Sequence, residues 1–160
     1  MPAAIGKRRV AIAIVIATAL MIFLETASAQ TANAIGARGK LLKMINNVRE
    51  RNDLRELRID RSLSRDAVRH TRRMVEANEV FDPANLDTIL SDEPWERIGA
   101  SVSGCAGTVR GVHRAWMRHA AHRDIMLEPR LRRIGIGVIT DRSRNICGRG
   151  SIWATELFYG

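Results

Sequence analysis

Apolar residues recur every three or four positions in several stretches of the chain, and this period predicts amphipathic helices. A first helix is expected from Lys40, with Leu41, Leu42, Ile45 and Val48 on one face. A second helix is expected within residues 58–81, where the apolar positions step by four and three residues. These positions are Leu63, Ala67, His70, Met74 and Ala77. His70 lies inside this apolar stripe, which is typical of a core histidine rather than a ligand.

A third helix is predicted to begin after Thr108, whose hydroxyl is suited to an N-cap. It is expected to run through His119 and His122 until Pro129 ends it. Its buried face is formed by Val109, Val112, Trp116 and Ala120. Residues 82–94, before this helix, contain two prolines and no sustained period, so they predict a loop with one short helix from Asn85 to Leu90.

The last third of the chain changes to the alternating period of β-strands. The segments "RRIGIGVIT" and "SIWATELFYG" are separated by the turn-rich "DRSRNICGRG", which predicts an antiparallel hairpin. Both faces of the last strand are largely apolar, so helices are expected on both sides of it. The predicted fold class is α+β, a three-layer α-β-α sandwich with a small antiparallel sheet between helices.

The N-terminus has the pattern of a secretory signal peptide. A basic Lys7-Arg8-Arg9 precedes an apolar run from Val10 to Leu24, and Ala27-Ser28-Ala29 forms a small-x-small cleavage site. The alternative is a retained membrane anchor, but the run is shorter than the roughly 20 residues of a typical span. We therefore expect a signal peptide over residues 1–29, a short linker over 30–39 and one domain over 40–160.

Charge and cysteine content both fit a secreted protein. The formal charge of +9 becomes +7 when residues 1–29 are removed. Aromatic residues make up only 4% of the chain, and no nucleic-acid-binding motif is present, so cytosolic nucleic acid is disfavoured as a partner. Anionic envelope polymers, lipid headgroups or extracellular DNA are the expected partners of the charge. In an oxidising compartment, Cys105 and Cys147 are expected to form a disulfide. Nothing in the sequence sets the oligomeric state.

Several ordered motifs resemble the CAP superfamily, which comprises the cysteine-rich secretory, antigen 5 and pathogenesis-related 1 proteins. The resemblance runs from about Leu41 to the C-terminus and is closest to the short bacterial SCP-like extracellular domains. The matching positions are Leu42, Ile45, Asn46, Arg49, Ala67, His70, Met74, Trp116, His122, Arg123 and Phe158. The resemblance implies an α-β-α sandwich with a central cleft, which in many members holds a divalent metal on two histidines and two acidic residues.

Most of those cleft residues are exchanged in this sequence. Asp82 stands where the resemblance places the first histidine, and His119 stands at the second acidic position. At the family's Gly-Glu-Asn motif, one alignment retains Glu96, whereas the preferred alignment places Ala100 and Ser101 there. Only His122 matches a cleft residue directly.

Two functions from different classes follow from this cleft. The preferred one is a secreted, non-catalytic binding or scaffold protein with no cofactor and an anionic or lipidic ligand. The alternative is a metal-dependent hydrolase with a rearranged zinc site on Asp82, His119 and His122. Arg118 and Arg123 flank the two histidines and oppose cation binding, and no orienting acid is evident for a Ser-His dyad, so we expect no catalysis.

Charged residues at two further places in the chain suggest a specific role. Glu156 lies among apolar residues of the last strand, where a charge must be paired, and an arginine partner is preferred over a role in the cleft wall. Six arginines cluster around the predicted hairpin and could form one anionic-ligand face, although such runs usually only keep a domain soluble. They are Arg130, Arg132, Arg133, Arg142, Arg144 and Arg149.

Overall fold

The computed structural model describes residues 32–91 and 98–160. The predicted signal peptide and Glu96 lie outside the described residues. The chain divides into two units, Met1–Ile35 and Gly36–Gly160. The described part of the first unit, residues 32–35, is helical, and in the second unit helix α1 covers 36–50. Helical structure therefore begins within residues 30–39, the predicted linker, whose alanines favour helix formation.

The helices after α1 follow the predicted periods with one difference. They are α2 (Arg61–Ala77), α3 (Leu86–Leu90), α4 (Val109–Arg118) and α5 (Ala120–Met126). Thr108 is the N-cap of α4, as predicted, and its hydroxyl accepts a hydrogen bond from the Gly111 amide. The predicted third helix is interrupted at His119, whose backbone is extended with φ −85° and ψ 117°. His119 and His122 are therefore not on one helix.

The sheet has four strands in the order β1-β3-β4-β2. They are β1 (Arg58–Ile59), β2 (Gly99–Ala106), β3 (Arg133–Asn145) and β4 (Gly148–Tyr159). The predicted β3–β4 hairpin is confirmed, but its strands continue to a turn of only Ile146 and Cys147. The sheet is mixed rather than purely antiparallel, because β1 pairs with β3 in parallel.

Helices cover both faces of this sheet, which confirms the three-layer α-β-α sandwich. On one face, Ile134, Ile136 and Phe158 pack in a buried cluster with residues of α1, α4 and α5. On the other face, Leu157 and Tyr159 pack with residues of α2 and α3. Both faces of the last strand are buried, as the sequence predicts.

Two glycines let α2 lie directly against β3. A Cβ atom at Gly135 would clash with the Leu63 backbone, and one at Gly137 would clash with the Ala67 backbone. At the same level, the Ser64 hydroxyl accepts a hydrogen bond from the Ile136 amide at 3.2 Å. The helix–sheet distance in this layer therefore depends on the absence of two side chains.

In the other helical layer, a buried arginine connects α1 to α5. Arg49 is 0% exposed. Its Nε donates to the Arg55 carbonyl at 2.8 Å. Its Nη1 donates to the carbonyls of Met126 at 2.8 Å and Glu128 at 3.0 Å. Its Nη2 donates to the Leu131 carbonyl at 3.4 Å. One guanidinium therefore binds the loop after α1, the end of α5 and the approach to β3.

The predicted disulfide is present between Cys105 on β2 and Cys147 in the hairpin turn, with the two Cα atoms 5.9 Å apart. The two cysteines are 42 residues apart in sequence. Closing a loop of this length reduces the entropy of the unfolded chain and contributes about 4 kcal/mol by the chain-entropy model. It fixes the far end of the hairpin to the edge strand.

The close approach of α2 can be tested at Gly137. We expect Gly137→Ala to lower the free energy of unfolding by about 2 kcal/mol or more, because the added methyl group overlaps backbone that cannot rotate away. Gly39→Ala is the matched control, since Gly39 lies in helix α1 with nothing within 4 Å of an added Cβ. This control should raise stability by up to about 1 kcal/mol in urea unfolding. Equal effects of the two variants would contradict the close-packing account.

Candidate functional site

A small cleft of about 220 Å³ lies between the edge strand β2 and the α4–α5 corner. It is lined by Ser103, Gly104, Cys105, Val112, Ala115, Trp116, His119 and His122. No carboxylate is among these lining residues. Two of the histidines singled out from the sequence thus do lie at one cleft.

The wall of the cleft is set by Trp116. This side chain is 1% exposed, and its indole Nε1 donates to the Ser103 carbonyl at 3.0 Å. A Cβ atom at Gly104 would overlap the same indole nitrogen. The strand can therefore approach α4 only because it carries glycine at this position, and the aromatic ring fixes the separation of strand and helix.

His119 and His122 contact each other, although His119 lies at the helix break and His122 lies on α5. Their ring centroids are 4.5 Å apart and the rings are inclined at 42°. His119 is exposed, whereas His122 is half-buried. Burial lowers the pKa of His122, the neighbouring His119 lowers it further, and Asp82 acts in the opposite direction. The His122 ring is therefore neutral at physiological pH.

Asp82 lies in the exposed loop after α2, close enough to influence the pKa of both His70 and His122. Within residues 32–91 and 98–160, however, no three histidine, cysteine, aspartate or glutamate side chains converge to hold a metal ion. The hypothetical zinc site on Asp82, His119 and His122 is thus not assembled. The helix break at His119 changes the geometry that the sequence prediction assumed, because the two histidines do not share one helical face.

His70 is a core residue, as predicted. Its Nε2 lies 2.7 Å from the Phe81 carbonyl, and an Arg73 guanidinium nitrogen lies 3.3 Å from its Nδ1. Since a guanidinium can only donate, Nδ1 must accept and Nε2 must carry the proton. Burial, the largest cause, lowers the pKa of His70, and Arg73 lowers it further. His70 is therefore a neutral structural residue.

The residues at the family's Gly-Glu-Asn position supply no acid or nucleophile to the cleft. Ala100 pairs with Phe158 and packs against the cluster beneath α1 and α4. Ser101 is half-buried opposite Leu157. Glu96, which the other alignment places at this position, lies outside the described ranges.

Ser103 is not arranged as a catalytic nucleophile. It pairs with Thr155, whose hydroxyl is hydrogen-bonded to Thr71 of α2 at 3.0 Å. Because directly paired residues share a sheet face, the Ser103 side chain is on the α2 side, whereas α4 and α5 pack on the other face. Its hydroxyl has no hydrogen-bond partner among the described residues. No Ser-His dyad is therefore formed.

Comparison with known proteins decides the family. The model of the cysteine-rich secretory protein family, CAP, matches residues 42–155, which is well over half of the chain. The chain belongs to the CAP family. No curated protein matches the chain at a significant level.

Solved structures share the CAP fold with this chain. An extracellular protein containing an SCP domain from Bacillus anthracis has a TM-score of 0.66 and 17% identity, over 81% of this chain and 42% of that protein. An outer surface protein of Borrelia burgdorferi has a TM-score of 0.63 and 14% identity, over 78% and 92%. A cysteine-rich secretory protein of Staphylococcus aureus has a TM-score of 0.60 and 19% identity, over 78% and 38%. The chain thus spans less than half of the Bacillus and Staphylococcus proteins.

The described part of the CAP chain contains no helix that is both long and apolar enough to cross a bilayer.

Glu156 of the CAP domain is fully buried without a partner. Neither carboxylate oxygen accepts a hydrogen bond from a described residue, so the preferred arginine partner is not found there. Its cross-strand neighbours are Val102 and Ile136, both members of the apolar cluster. Burial raises the pKa of Glu156 to about 8, so the side chain is protonated at neutral pH. Protonation replaces the ion pair that the sequence predicted.

The six arginines assigned to one anionic-ligand face are separated into two groups. Arg130, Arg132 and Arg133 lie at the start of β3, and Arg142, Arg144 and Arg149 lie at the far end of the hairpin. Because β3 is longer than predicted, the groups are about 30 Å apart. Arg130 is also engaged with the Glu128 carboxylate at 2.8 and 3.2 Å. A single face of six arginines is therefore not formed.

Sequence reasoning missed a larger cavity, of about 630 Å³, between α2 and α3. Four arginines of α2 line it, namely Arg65, Arg69, Arg72 and Arg73. Their spacing of three and four residues opposite the apolar stripe was visible in the sequence. What the sequence did not show was that α3 packs beside this face and turns it into a groove.

The protonated state of Glu156 predicts an unusual pH dependence. Since the pKa is raised in the folded state, the unfolded chain ionises first, and stability is lost as pH rises from about 4.5 to about 8. We expect Glu156→Gln to remove this loss, so its stability relative to the wild type should increase by on the order of 4 kcal/mol between about pH 5 and pH 8. Urea unfolding across this range is the measurement. Parallel curves for wild type and variant would contradict the assignment, and Glu50→Gln, at an exposed position, is the control.

Proposed function

We propose that this CAP domain is exported and acts at the cell envelope as a non-catalytic binding or scaffold protein. The signal-peptide pattern before the domain supports export. The similar bacterial structures are those of an extracellular, an outer surface and a secretory protein, which agrees with that location.

The observation that carries the non-catalytic part is the absence of converging metal ligands among the described residues. Metal-assisted hydrolysis needs an ion that activates water or polarises the substrate. A metal-free hydrolase needs a nucleophile within hydrogen-bond reach of a base. Ser103 has no such contact with a described residue. These observations support a cleft that holds a ligand without transforming it.

The cleft offers neutral donors and acceptors beside apolar groups. His122 presents a largely uncharged imidazole, and Ala115 supplies exposed apolar surface. Such a site holds a small polar or amphipathic group by hydrogen bonds and packing. The positive charge of the exported domain, +7 after removal of residues 1–29, favours an anionic polymer or lipid of the envelope as the source of that ligand.

The rearranged metal-dependent hydrolase remains the alternative, supported by the contact between His119 and His122 and by the proximity of Asp82 to His122. Zinc titration calorimetry separates the two functions. We expect no saturable micromolar zinc binding to the purified, disulfide-intact protein after treatment with a chelator. His122→Ala and His119→Ala variants should give the same flat titration as the wild type. Stoichiometric binding that disappears in His122→Ala would contradict the proposal and support the hydrolase.

A further inference from the structure

The outward face of α2 carries a row of arginines that packing does not require. Arg61, Arg65, Arg69, Arg72 and Arg73 are all exposed, opposite the buried stripe of the same helix. The first three are separated by four residues each, which is about 6 Å along the helix axis. The row therefore presents guanidinium groups at regular intervals along one direction.

Four of these residues form one wall of an elongated groove, namely Arg65, Arg69, Arg72 and Arg73. Along α2 the lining extends from Ser62 to Glu76, a length of about 21 Å. The opposite wall comes from the α3 region and consists of Asn85, Thr88 and Ile89, none of which is charged. With a volume of about 630 Å³, the groove is nearly three times as large as the histidine cleft of about 220 Å³. Its shape suits a linear ligand more than a compact one.

The positive charge of the groove is only partly neutralised. Among the described residues, Asp66 pairs with Arg69, and no carboxylate lies within ion-pair distance of the other arginines that line the groove. Arg65 contacts the Ser62 hydroxyl at 3.3 Å, and Arg73 contacts the neutral ring of His70. The groove retains two positive charges when all four arginines and both acids are counted. Arg65 and Arg72 are the guanidinium groups best able to accept an external anion.

We propose that the groove between α2 and α3 binds an extended phosphate-bearing polymer. Guanidinium forks match phosphate oxygens and form two charge-assisted hydrogen bonds at once. Several arginines in a row can bind successive phosphates of one polymer chain. A single small anion can contact only one or two of these arginines at a time. The proposal deepens the anionic-ligand part of the proposed function but uses a different site. Zinc binding tests the cleft and leaves the groove untouched, so the two can fail separately.

The experiment uses linear polyphosphate long enough to span the groove as the probe, in titration calorimetry with the full folded protein. The groove variant is Arg65→Gln combined with Arg72→Gln. The matched control is Arg142→Gln combined with Arg149→Gln, which removes the same charge from exposed positions at the hairpin end. All four positions are exposed, so neither variant is expected to disturb the core.

We expect the groove variant to bind polyphosphate at least about tenfold more weakly than the wild type, and the hairpin variant to change affinity less than about threefold. The slope of log affinity against log salt should become shallower by about 1.4 in the groove variant, as two phosphate contacts are lost. Equal weakening by both variants would overturn the proposal in favour of non-specific attraction. Inorganic phosphate that binds as tightly as the polymer would overturn the extended ligand.

Two further arms complete the test. Asp66→Asn frees Arg69 from its ion pair and should tighten polyphosphate binding severalfold, whereas Asp124→Asn, an exposed position outside the groove, should have little effect. Vesicles of phosphatidylglycerol and phosphatidylcholine test a membrane surface as the source of phosphate. Vesicle binding that depends on Arg65 and Arg72, without binding of the soluble polymer, would overturn the proposed ligand.

Discussion

The buried guanidinium of Arg49 is the interaction on which the position of the cleft depends. Helix α5 has only seven residues and cannot be stable by itself. Arg49 donates to the carbonyls at its C-terminal end, where a positive charge is also favoured by the helix dipole. Burial lowers the pKa of Arg49, but arginine stays charged, so the carbonyls must remain around it. The same helix carries His122, so the hydrogen bonds from Arg49 to backbone carbonyls position one side of the cleft.

Much of this architecture was readable from the sequence because burial imposes a period. Three such features are found in the structure: the apolar stripe of α2, the alternation in β4 and the N-cap at Thr108. Each one follows from a local requirement for burial or hydrogen bonding. Strand β2 was not predicted from the sequence, because its packing requires small residues instead of β-branched ones. Leu90 lies over Gly99 and Trp116 over Gly104, so the positions that a strand pattern would fill with apolar side chains are glycines.

The candidate site was only half predictable for a related reason. Family motifs located the histidines, but they did not predict the helix break. The backbone is extended at His119 without a glycine or proline at that position. Glu156 was expected to find an arginine, whereas burial keeps it protonated among apolar neighbours. The groove on α2 depends on where α3 packs. This is a tertiary contact, and the hydrophobic pattern of neither helix predicts it. The period of apolar residues predicted the helices and strands. The way these elements pack together decided which polar side chains come into contact.

Amide hydrogen exchange in α5 tests most directly whether Arg49, and not a metal ion, holds the cleft together. Exchange would be followed at residues 120–131 and, for comparison, in α2, with chelator and with added zinc. The account predicts that zinc and chelator leave the rates in α5 unchanged, whereas Arg49→Met accelerates exchange there more than in α2. Slower exchange of α5 with zinc, together with unchanged rates in Arg49→Met, would contradict it.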